Sequence, residues 1–158
     1  MNIASAALWG FVATVVLTTT MAGAQGFGLT RMSIPFLLGT MFTPSRDRAM
    51  LYGAVAHMLI GWMFAFLYGY GFEVLGVATW WWGTLAGILH GSFVLAVGMP
   101  LMPALHPRMV SEYYGPTANR QLQPPGFFGL HYGRPTPLVT LVAHALFGLV
   151  LGTFYSLV

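Results

Sequence analysis

Three histidines lie deep inside apolar stretches and are the best candidates for chemistry in this sequence. His57, His90 and His144 each stand about ten residues inside the boundary of a predicted membrane span. At a helical rise of roughly 1.5 Å per residue, that depth is near the middle of a bilayer. Ionisable side chains there are costly and usually face the protein interior. We therefore take these three residues as the candidate cofactor-binding or metal-binding side chains.

The imidazoles allow several kinds of site, and the sequence leaves the choice open. His57 and His144 could be the two axial ligands of a b-type haem. Together with His90 they could form a three-nitrogen site for copper, zinc or iron, which are metals that imidazole suits. One histidine could also hold a chlorophyll-type pigment, or the cluster could pass protons. Alternatively, each neutral imidazole donates a hydrogen bond to a carbonyl or hydroxyl group on a neighbouring helix. Candidate hydroxyls are those of Thr18, Thr19 and Thr20.

Other chemistry has little support in the composition. There is no cysteine, which excludes disulfides, iron–sulfur ligation and thioether-linked haem. Six arginines, no lysine and three carboxylates are too sparse for a nucleic-acid interface. No phosphate-binding Gly-Lys-Ser/Thr loop, His-Glu-x-x-His or Gly-x-Ser-x-Gly motif is found. The sequence therefore favours a protein that is not an enzyme.

Apolar segments must position the histidines, because 57% of the residues are hydrophobic and only 6% are charged. Four stretches reach the roughly 20 residues that cross a bilayer, and in lipid each must be helical to satisfy its own backbone. We predict one all-α domain over 1–158, with transmembrane helices at about 3–26, 50–72, 80–101 and 138–158. The segment 34–42 is too short to span and is predicted to be interfacial or re-entrant.

The arginines predict the orientation of the helices in the membrane. All six fall in the connections 27–49 and 102–137, whereas the short loop between the second and third helices holds only Glu73. The two Arg-bearing connections must share one side of a four-span protein, and positive loops are typically cytoplasmic. We expect these connections in the cytoplasm and both termini outside. The arginines are Arg31, Arg46, Arg48, Arg108, Arg120 and Arg134.

An internal repeat relates the second and fourth helices. Six of 14 aligned positions are identical. The identical pairs are Val55 and Val142, Ala56 and Ala143, His57 and His144, Leu59 and Leu146, Gly61 and Gly148, and Tyr68 and Tyr155. We predict two helical hairpins of the same orientation, related by a pseudo-two-fold axis along the membrane normal. The repeat would place His57 and His144 at equal depth.

Small residues recur at four-residue intervals on the first and third helices and predict close helix packing. The stripe on the first helix is Gly10, Thr14, Thr18 and Ala22, and that on the third is Gly83, Gly87 and Gly91. We interpret both stripes as helix contacts within the bundle. If they faced each other, the first and third helices would form its centre, and His57 and His144 would be too far apart to share one iron.

The connection 102–137 is long and rich in proline, glycine and aromatic residues, unlike a disordered segment. We expect an ordered cap on the cytoplasmic face. It could dock a larger assembly, close the bundle by packing on itself, or act as a lid with His106, His131 and Glu112 as polar ligands.

The layout of the whole chain resembles that of small uncharacterised four-helix bacterial membrane proteins. The segments that carry this resemblance are Leu29-Thr30-Arg31-Met32, Pro35-Phe36-Leu37-Leu38-Gly39-Thr40 and His106-Pro107-Arg108-Met109. The resemblance implies a bacterial cytoplasmic membrane and brings no catalytic residues or ligands with it.

Three functions follow as hypotheses. The first is a non-enzymatic accessory or interaction subunit of a larger membrane assembly, with protein partners or copies of itself. The second is a haem b- or metal-binding electron-transfer subunit that uses His57, His144 and His90. The third is a half-unit of a homodimeric channel or carrier.

Overall fold

The computed structural model describes residues 1–111 and 114–158, and within them the chain is helical and has no β-strand. The all-α prediction is therefore confirmed. The helices are α1 (Ile3–Gly26), α2 (Ile34–Gly39), α3 (Arg46–Leu75), α4 (Trp80–Phe93), α5 (Met99–Leu105) and α6 (Thr136–Phe154). A π-helical turn, Val94–Gly98, joins α4 to α5, and a 3₁₀ segment, Phe127–Tyr132, precedes α6.

Four helices are long and apolar enough to cross a membrane: α1, α3, the continuous helix Trp80–Leu105, and α6. The second of these is longer than the predicted 50–72, because it begins at Arg46 and ends at Leu75. Hydropathy falls at the first charged residue, but the backbone stays helical through it. Asp47 lies in the first turn, where its negative charge interacts favourably with the positive end of the helix dipole. Gly76 ends the helix in a left-handed conformation (φ 65°).

The third and fourth spans also differ from their predicted ends. The third continues to Leu105 instead of ending near residue 101, and extended backbone at His106 terminates it. The fourth ends at Phe154 instead of 158, because Tyr155 turns into extended backbone.

Helices α1 and α6 form the centre of the bundle. Helix α3 packs on α1, and α4 packs on α6, whereas α3 and α4 make no extensive contact although a short turn joins them. The short helix α2 lies within the segment predicted to be interfacial or re-entrant and packs on the first half of α3. Gly53 permits this contact, because a Cβ there would overlap the carbonyl of Pro35. The bundle therefore has a gap between α3 and α4.

The glycine stripe of α4 contacts α6, which confirms a helix contact within the bundle. A Cβ on Gly83 would collide with the backbone of Gly148, and one on Gly87 with the backbone of His144. A Cβ on Gly91 would lie 3.0 Å from the Cβ of His144. The stripe thus allows α6 to bring His144 against α4.

The stripe of α1 contacts α3, again within the bundle. Gly10 faces Ala65 and Trp62, and Thr14 lies against Gly61, where a Cβ would overlap the threonine side chain. The two stripes therefore do not face each other, and the first and third membrane helices do not form the centre.

The predicted parallel repeat is not confirmed. Gly61 and Gly148 do have similar roles, since each allows close contact with the first helix of its own hairpin. Gly61 contacts α1, and Gly148 contacts α4. However, a two-fold axis that relates the two hairpins would exchange α1 with α4 and α3 with α6. The contact between α1 and α6 would then be repeated by an equal contact between α4 and α3. The extensive packing is found only for the first pair.

The two Arg-bearing connections meet at one end of the bundle. The Arg31 backbone N–H donates to the Tyr132 carbonyl at 2.7 Å, and the Arg31 guanidinium donates to the His131 carbonyl. Arg108 Nη1 donates to the Thr40 carbonyl at 2.6 Å. The described part of the predicted cap is thus held against the first connection.

Both chain termini and the turn after α3 meet at the opposite end. The Asn2 backbone N–H donates to the Tyr155 hydroxyl at 2.9 Å, and that hydroxyl donates to Glu73 Oε1 at 2.8 Å. The Val158 backbone N–H also donates to Glu73 Oε1, at 3.2 Å. One carboxylate therefore joins the C-terminus to the end of α3.

Candidate binding site

A cavity of about 170 Å³ lies between the long helices, and His57, His90 and His144 all line it. It is here named the histidine cavity. The structure therefore brings together the three histidines that the sequence singles out, from α3, α4 and α6. The rest of the lining is mostly apolar: Thr14, Leu17, Met21, Met32, Ile34, Leu38, Ile60, Gly61, Phe64, Val94, Gly98, Met99, Met102, Thr140 and Phe147.

The tautomer of His57 follows from its partner on α1. Its Nδ1 lies 3.1 Å from Thr18 Oγ1, and the Thr18 hydroxyl donates its only hydrogen to the Thr14 carbonyl at 2.7 Å. The hydroxyl oxygen is then left as an acceptor, so His57 Nδ1 carries a hydrogen and donates it. The predicted partnership with a threonine hydroxyl on the neighbouring helix is present. The lone pair of the neutral ring consequently resides on Nε2.

His144 is held in the same tautomer by its own helix. Its Nδ1 lies 2.8 Å from the Thr140 carbonyl, which can only accept. The side chain is 8% exposed. Neither His144 Nε2 nor His57 Nε2 makes a hydrogen bond within the described residues. Two acceptor nitrogens are therefore available in the histidine cavity.

His90 lies between an aromatic ring of α3 and the imidazole of α6. Its ring centroid is 3.9 Å from that of Phe64 and 4.8 Å from that of His144, the latter in an edge-on arrangement. Its Nδ1 is buried and has no hydrogen-bond partner in the described part of the chain. The imidazole is thus positioned by ring packing instead of by a hydrogen bond.

Two further polar side chains were not predicted as site residues. The hydroxyls of Tyr68 and Thr140 are buried without a partner among the described residues, and these side chains are 9% and 1% exposed. A buried polar group left unpaired costs about 1–3 kcal/mol. Helical spacing places each on the same face of its helix as a cavity histidine, because Tyr68 follows His57 by eleven residues and Thr140 precedes His144 by four.

The π-helical turn borders the cavity through Val94 and Gly98. Pro100 explains the change of helix type, because it has no N–H for the carbonyl of Ala96 and its ring would collide with that carbonyl. Single π-helical turns are frequent at functional sites. The third membrane helix therefore changes its geometry where it lines the cavity.

A second depression of about 270 Å³ follows the gap between α3 and α4. It is here named the lateral cleft. Tyr68 lines it, and the Tyr68 ring centroid lies 6.1 Å from that of His90 on the cavity side. The other lining residues are apolar: Leu67, Gly71, Phe72, Leu75, Trp82, Leu85, Ala86 and Leu89. Leu67 and Leu89 are 60% and 64% exposed, so the cleft opens on the outer surface of the bundle.

Haem and metal ions fit this site poorly. The tautomers of His57 and His144 would suit metal ligation, since a ligating histidine usually donates its second nitrogen to a neighbour. Yet no group of three or more His, Cys, Asp or Glu side chains in residues 1–111 and 114–158 is arranged to hold a metal ion. The cavity is also smaller than the roughly 300–1,000 Å³ of pockets for drug-sized ligands, so it cannot enclose a haem macrocycle.

Two of the polar residues proposed as lid ligands, His106 and His131, do not reach the cavity. His106 Nε2 donates to the Leu37 carbonyl at 2.9 Å, and its Nδ1 accepts from the Arg108 backbone N–H at 3.1 Å. Burial, followed by the charge of Arg108, lowers the pKa of His106, while the bond to Leu37 opposes that shift. His131 is exposed and bonds through Nδ1 to Pro124. Glu112 lies outside the described residues.

No protein family, no curated protein and no solved structure matches this chain.

Proposed function

We propose that this chain is a non-enzymatic integral membrane protein that binds a small uncharged molecule in the histidine cavity. The observation that carries the proposal is the convergence of three imidazoles from three helices on one apolar cavity. Neighbouring oxygen atoms orient His57 and His144, and the second nitrogen of each ring makes no hydrogen bond to a described residue. Pre-oriented polar groups in an otherwise apolar pocket are typical of sites that recognise small molecules.

An uncharged ligand is favoured by the lining of the cavity. Among residues 1–111 and 114–158, neither an arginine nor a carboxylate contributes to it. A buried charge without a counter-charge would be strongly unfavourable. A neutral molecule with one or a few polar atoms matches this environment.

Binding is favoured over catalysis by the partners of the imidazoles. In His-based catalytic triads a buried carboxylate orients the imidazole and stabilises its protonated form. Here the partners are the Thr18 hydroxyl and the Thr140 carbonyl, which are both neutral. These contacts orient the rings without making them strong bases.

A membrane location is supported by the four apolar helices. We place the protein in a bacterial cytoplasmic membrane, with the Arg-bearing connections in the cytoplasm and both termini outside. The hydrogen bonds of Arg31 and Arg108 support one shared side for these connections. The Glu73 network supports the other side for both termini.

Native mass spectrometry of the protein purified in mild detergent tests the binding function. We expect one stoichiometric organic molecule with wild type and with the control His131→Ala, whose side chain is exposed on the cap. His57→Ala and His144→Ala should lose that molecule. A wild-type protein without any bound molecule would overturn the proposal. Stoichiometric haem or metal that both substitutions abolish would overturn it in favour of an electron-transfer subunit.

The remaining sequence-based hypotheses stay predictions with their own tests. An accessory subunit, with partner proteins or as a homo-oligomer, predicts a complex that co-purifies and is lost on deletion. A half-unit of a channel or carrier predicts flux that depends on voltage or on a solute gradient.

A further inference from the structure

We propose that the ligand of the histidine cavity is a lipid-soluble phenol of the quinol type, with its hydroxylated ring in the cavity and its apolar tail between α3 and α4. This inference rests on the binding function proposed above and names its ligand class. It is carried by the hydrogen-bond polarity of the cavity, the aromatic side chains around it and the loose packing of α3 against α4.

The first argument is the polarity of the hydrogen bonds that the cavity offers. His57 and His144 each use their N–H within the protein, so each presents an acceptor nitrogen. An acceptor nitrogen is satisfied by a ligand that donates a hydrogen bond. A quinol hydroxyl donates, whereas an oxidised quinone carbonyl can only accept.

The second argument is the set of unpaired hydroxyls. Thr140 Oγ1, in the lining of the histidine cavity, is buried and unbonded in the described chain. The Tyr68 hydroxyl is also buried without a hydrogen-bond partner among the described residues, and Tyr68 lines the lateral cleft. A hydroxyl group can both donate and accept a hydrogen bond. A protein hydroxyl can therefore donate to the oxygen of a ligand hydroxyl while that ligand hydroxyl donates its own hydrogen to an imidazole. One phenolic group in the cavity could thus pair with Thr140 as well as with an imidazole.

The third argument is the aromatic character of the site. Phe64 and Phe147 line the cavity with His90, and the rings of these two residues lie 3.9 and 6.1 Å from the His90 ring. Aromatic rings prefer stacked or edge-to-face contacts with other rings. A flat aromatic head group is therefore favoured over an aliphatic alcohol.

The fourth argument is the route into the site. Helices α3 and α4 do not pack closely, and Ile60 of α3, which lines the cavity, is 37% exposed. This apolar edge of the cavity matches an alkyl or prenyl tail. A molecule dissolved in the bilayer could enter between these helices without crossing water.

The test uses purified protein in phosphatidylcholine nanodiscs and three probes: a benzoquinol with a decyl tail, the same compound with both hydroxyls methylated, and decanol. We expect saturable one-to-one binding of the benzoquinol by isothermal titration calorimetry. Methylation removes the donor, so it should weaken binding about tenfold or more, as loss of one good hydrogen bond implies. Decanol lacks the ring and should not compete.

Variants locate the bound probe. His57→Phe and His144→Phe remove the acceptor nitrogens but keep a ring, and each should weaken binding of the benzoquinol about tenfold. His131→Ala, outside the cavity, should bind like wild type. Unfolding temperatures measured on the same samples separate lost binding from lost folding. Thr18→Val, which removes the partner of His57 and not the imidazole, is a second variant if a phenylalanine variant fails to fold.

The outcomes distinguish the ligand class from the binding function. Equal binding of the quinol and its dimethyl ether, or equal competition by decanol, would overturn the quinol inference. So would failure of the quinol to bind while native mass spectrometry finds another molecule that depends on His57 and His144, and the binding function would then stand. Failure of the probe together with an absence of any bound molecule would overturn both.

Discussion

The protonation of the cavity histidines is determined by single oxygen atoms next to them. The Thr18 hydroxyl donates to Thr14, so it accepts a hydrogen bond from His57 Nδ1. The Thr140 carbonyl accepts in the same way from His144 Nδ1. This property of individual residues decides whether the cavity accepts or donates hydrogen bonds, so it bears directly on the choice of ligand.

The tautomers can be measured by nitrogen NMR on histidine-labelled protein in bilayers at pH 7.5. We predict a protonated Nδ1 and an unprotonated Nε2 for His57 and for His144. In Thr18→Val the hydroxyl acceptor is lost, so His57 should become a mixture of tautomers, whereas His144 should not change. A wild-type His57 protonated at Nε2 would contradict the hydrogen-bond assignment.

His106 predicts a pH dependence of stability at the Arg-bearing end. Burial lowers its folded-state pKa below the unfolded value of about 6.5. Below pH 6.5 the unfolded chain binds the extra proton more readily, so the free energy of unfolding falls as the pH decreases, and above pH 6.5 this residue adds no pH dependence. His106→Gln keeps a donor for Leu37 and an acceptor for Arg108 but cannot titrate.

Thermal unfolding in detergent at pH 7.5 and pH 5.0 checks this prediction. Wild type should lose more unfolding temperature between the two pH values than His106→Gln does. The other histidines are the same in both proteins, so any contribution from them cancels in the comparison. An identical loss in the two proteins would show that His106 is not the origin of the effect.

Helix contacts in this bundle depend on the absence of side chains at a few positions. At Gly83 a Cβ would enter the backbone of α6 at Gly148, whereas at Gly23 in α1 nothing lies within 4 Å of a Cβ. Backbone atoms cannot move aside as a flexible side chain can. Gly83→Ala should therefore lower the free energy of unfolding by about 1–3 kcal/mol, the usual cost of overpacking.

Gly23→Ala is the matched control, because it makes the same change on a helix that has room for it. Alanine is the better helix former, so this variant should be as stable as wild type or slightly more stable. Reversible unfolding in mixed detergent micelles gives both values. Equal stability of the two variants would mean that α4 and α6 are farther apart than described.

The sequence predicted the elements better than it predicted their neighbours. Four apolar runs were enough to locate the membrane helices, because hydropathy is a property of each segment alone. A small-residue stripe shows only how closely another helix can approach, not which helix approaches. The stripe Gly83–Gly91 therefore could not show that α6 would contact it and bring His144 beside His90.

The same limit explains what was missed in the candidate site. Three of its members were found because histidine is costly in a membrane. Thr140 and Tyr68 are ordinary residues for a membrane helix and its interface, and their significance depends on hydroxyls left without partners after packing. Such an unpaired group is visible only in three dimensions.

The molecule as a whole has two chemically different ends. Arg31 and Arg108 bond backbone carbonyls at one end, whereas Glu73 bonds Tyr155 and the C-terminal residue at the other. The lateral cleft lies toward the Glu73 end, because it extends along α3 to Leu75 and along α4 to Trp82. If the positive end is cytoplasmic, the cleft opens in the outer half of the bilayer.

Orientation can be tested with single cysteines, because the chain has none of its own. Ala118 in the cap and Ser156 near the C-terminus are both exposed. By the positive-inside tendency, a membrane-impermeant maleimide added to intact spheroplasts should label Ser156→Cys and not Ala118→Cys. After lysis both should react, which controls for buried thiols. Labelling of Ala118→Cys in intact cells would invert the topology and place the mouth of the lateral cleft in the cytoplasmic leaflet.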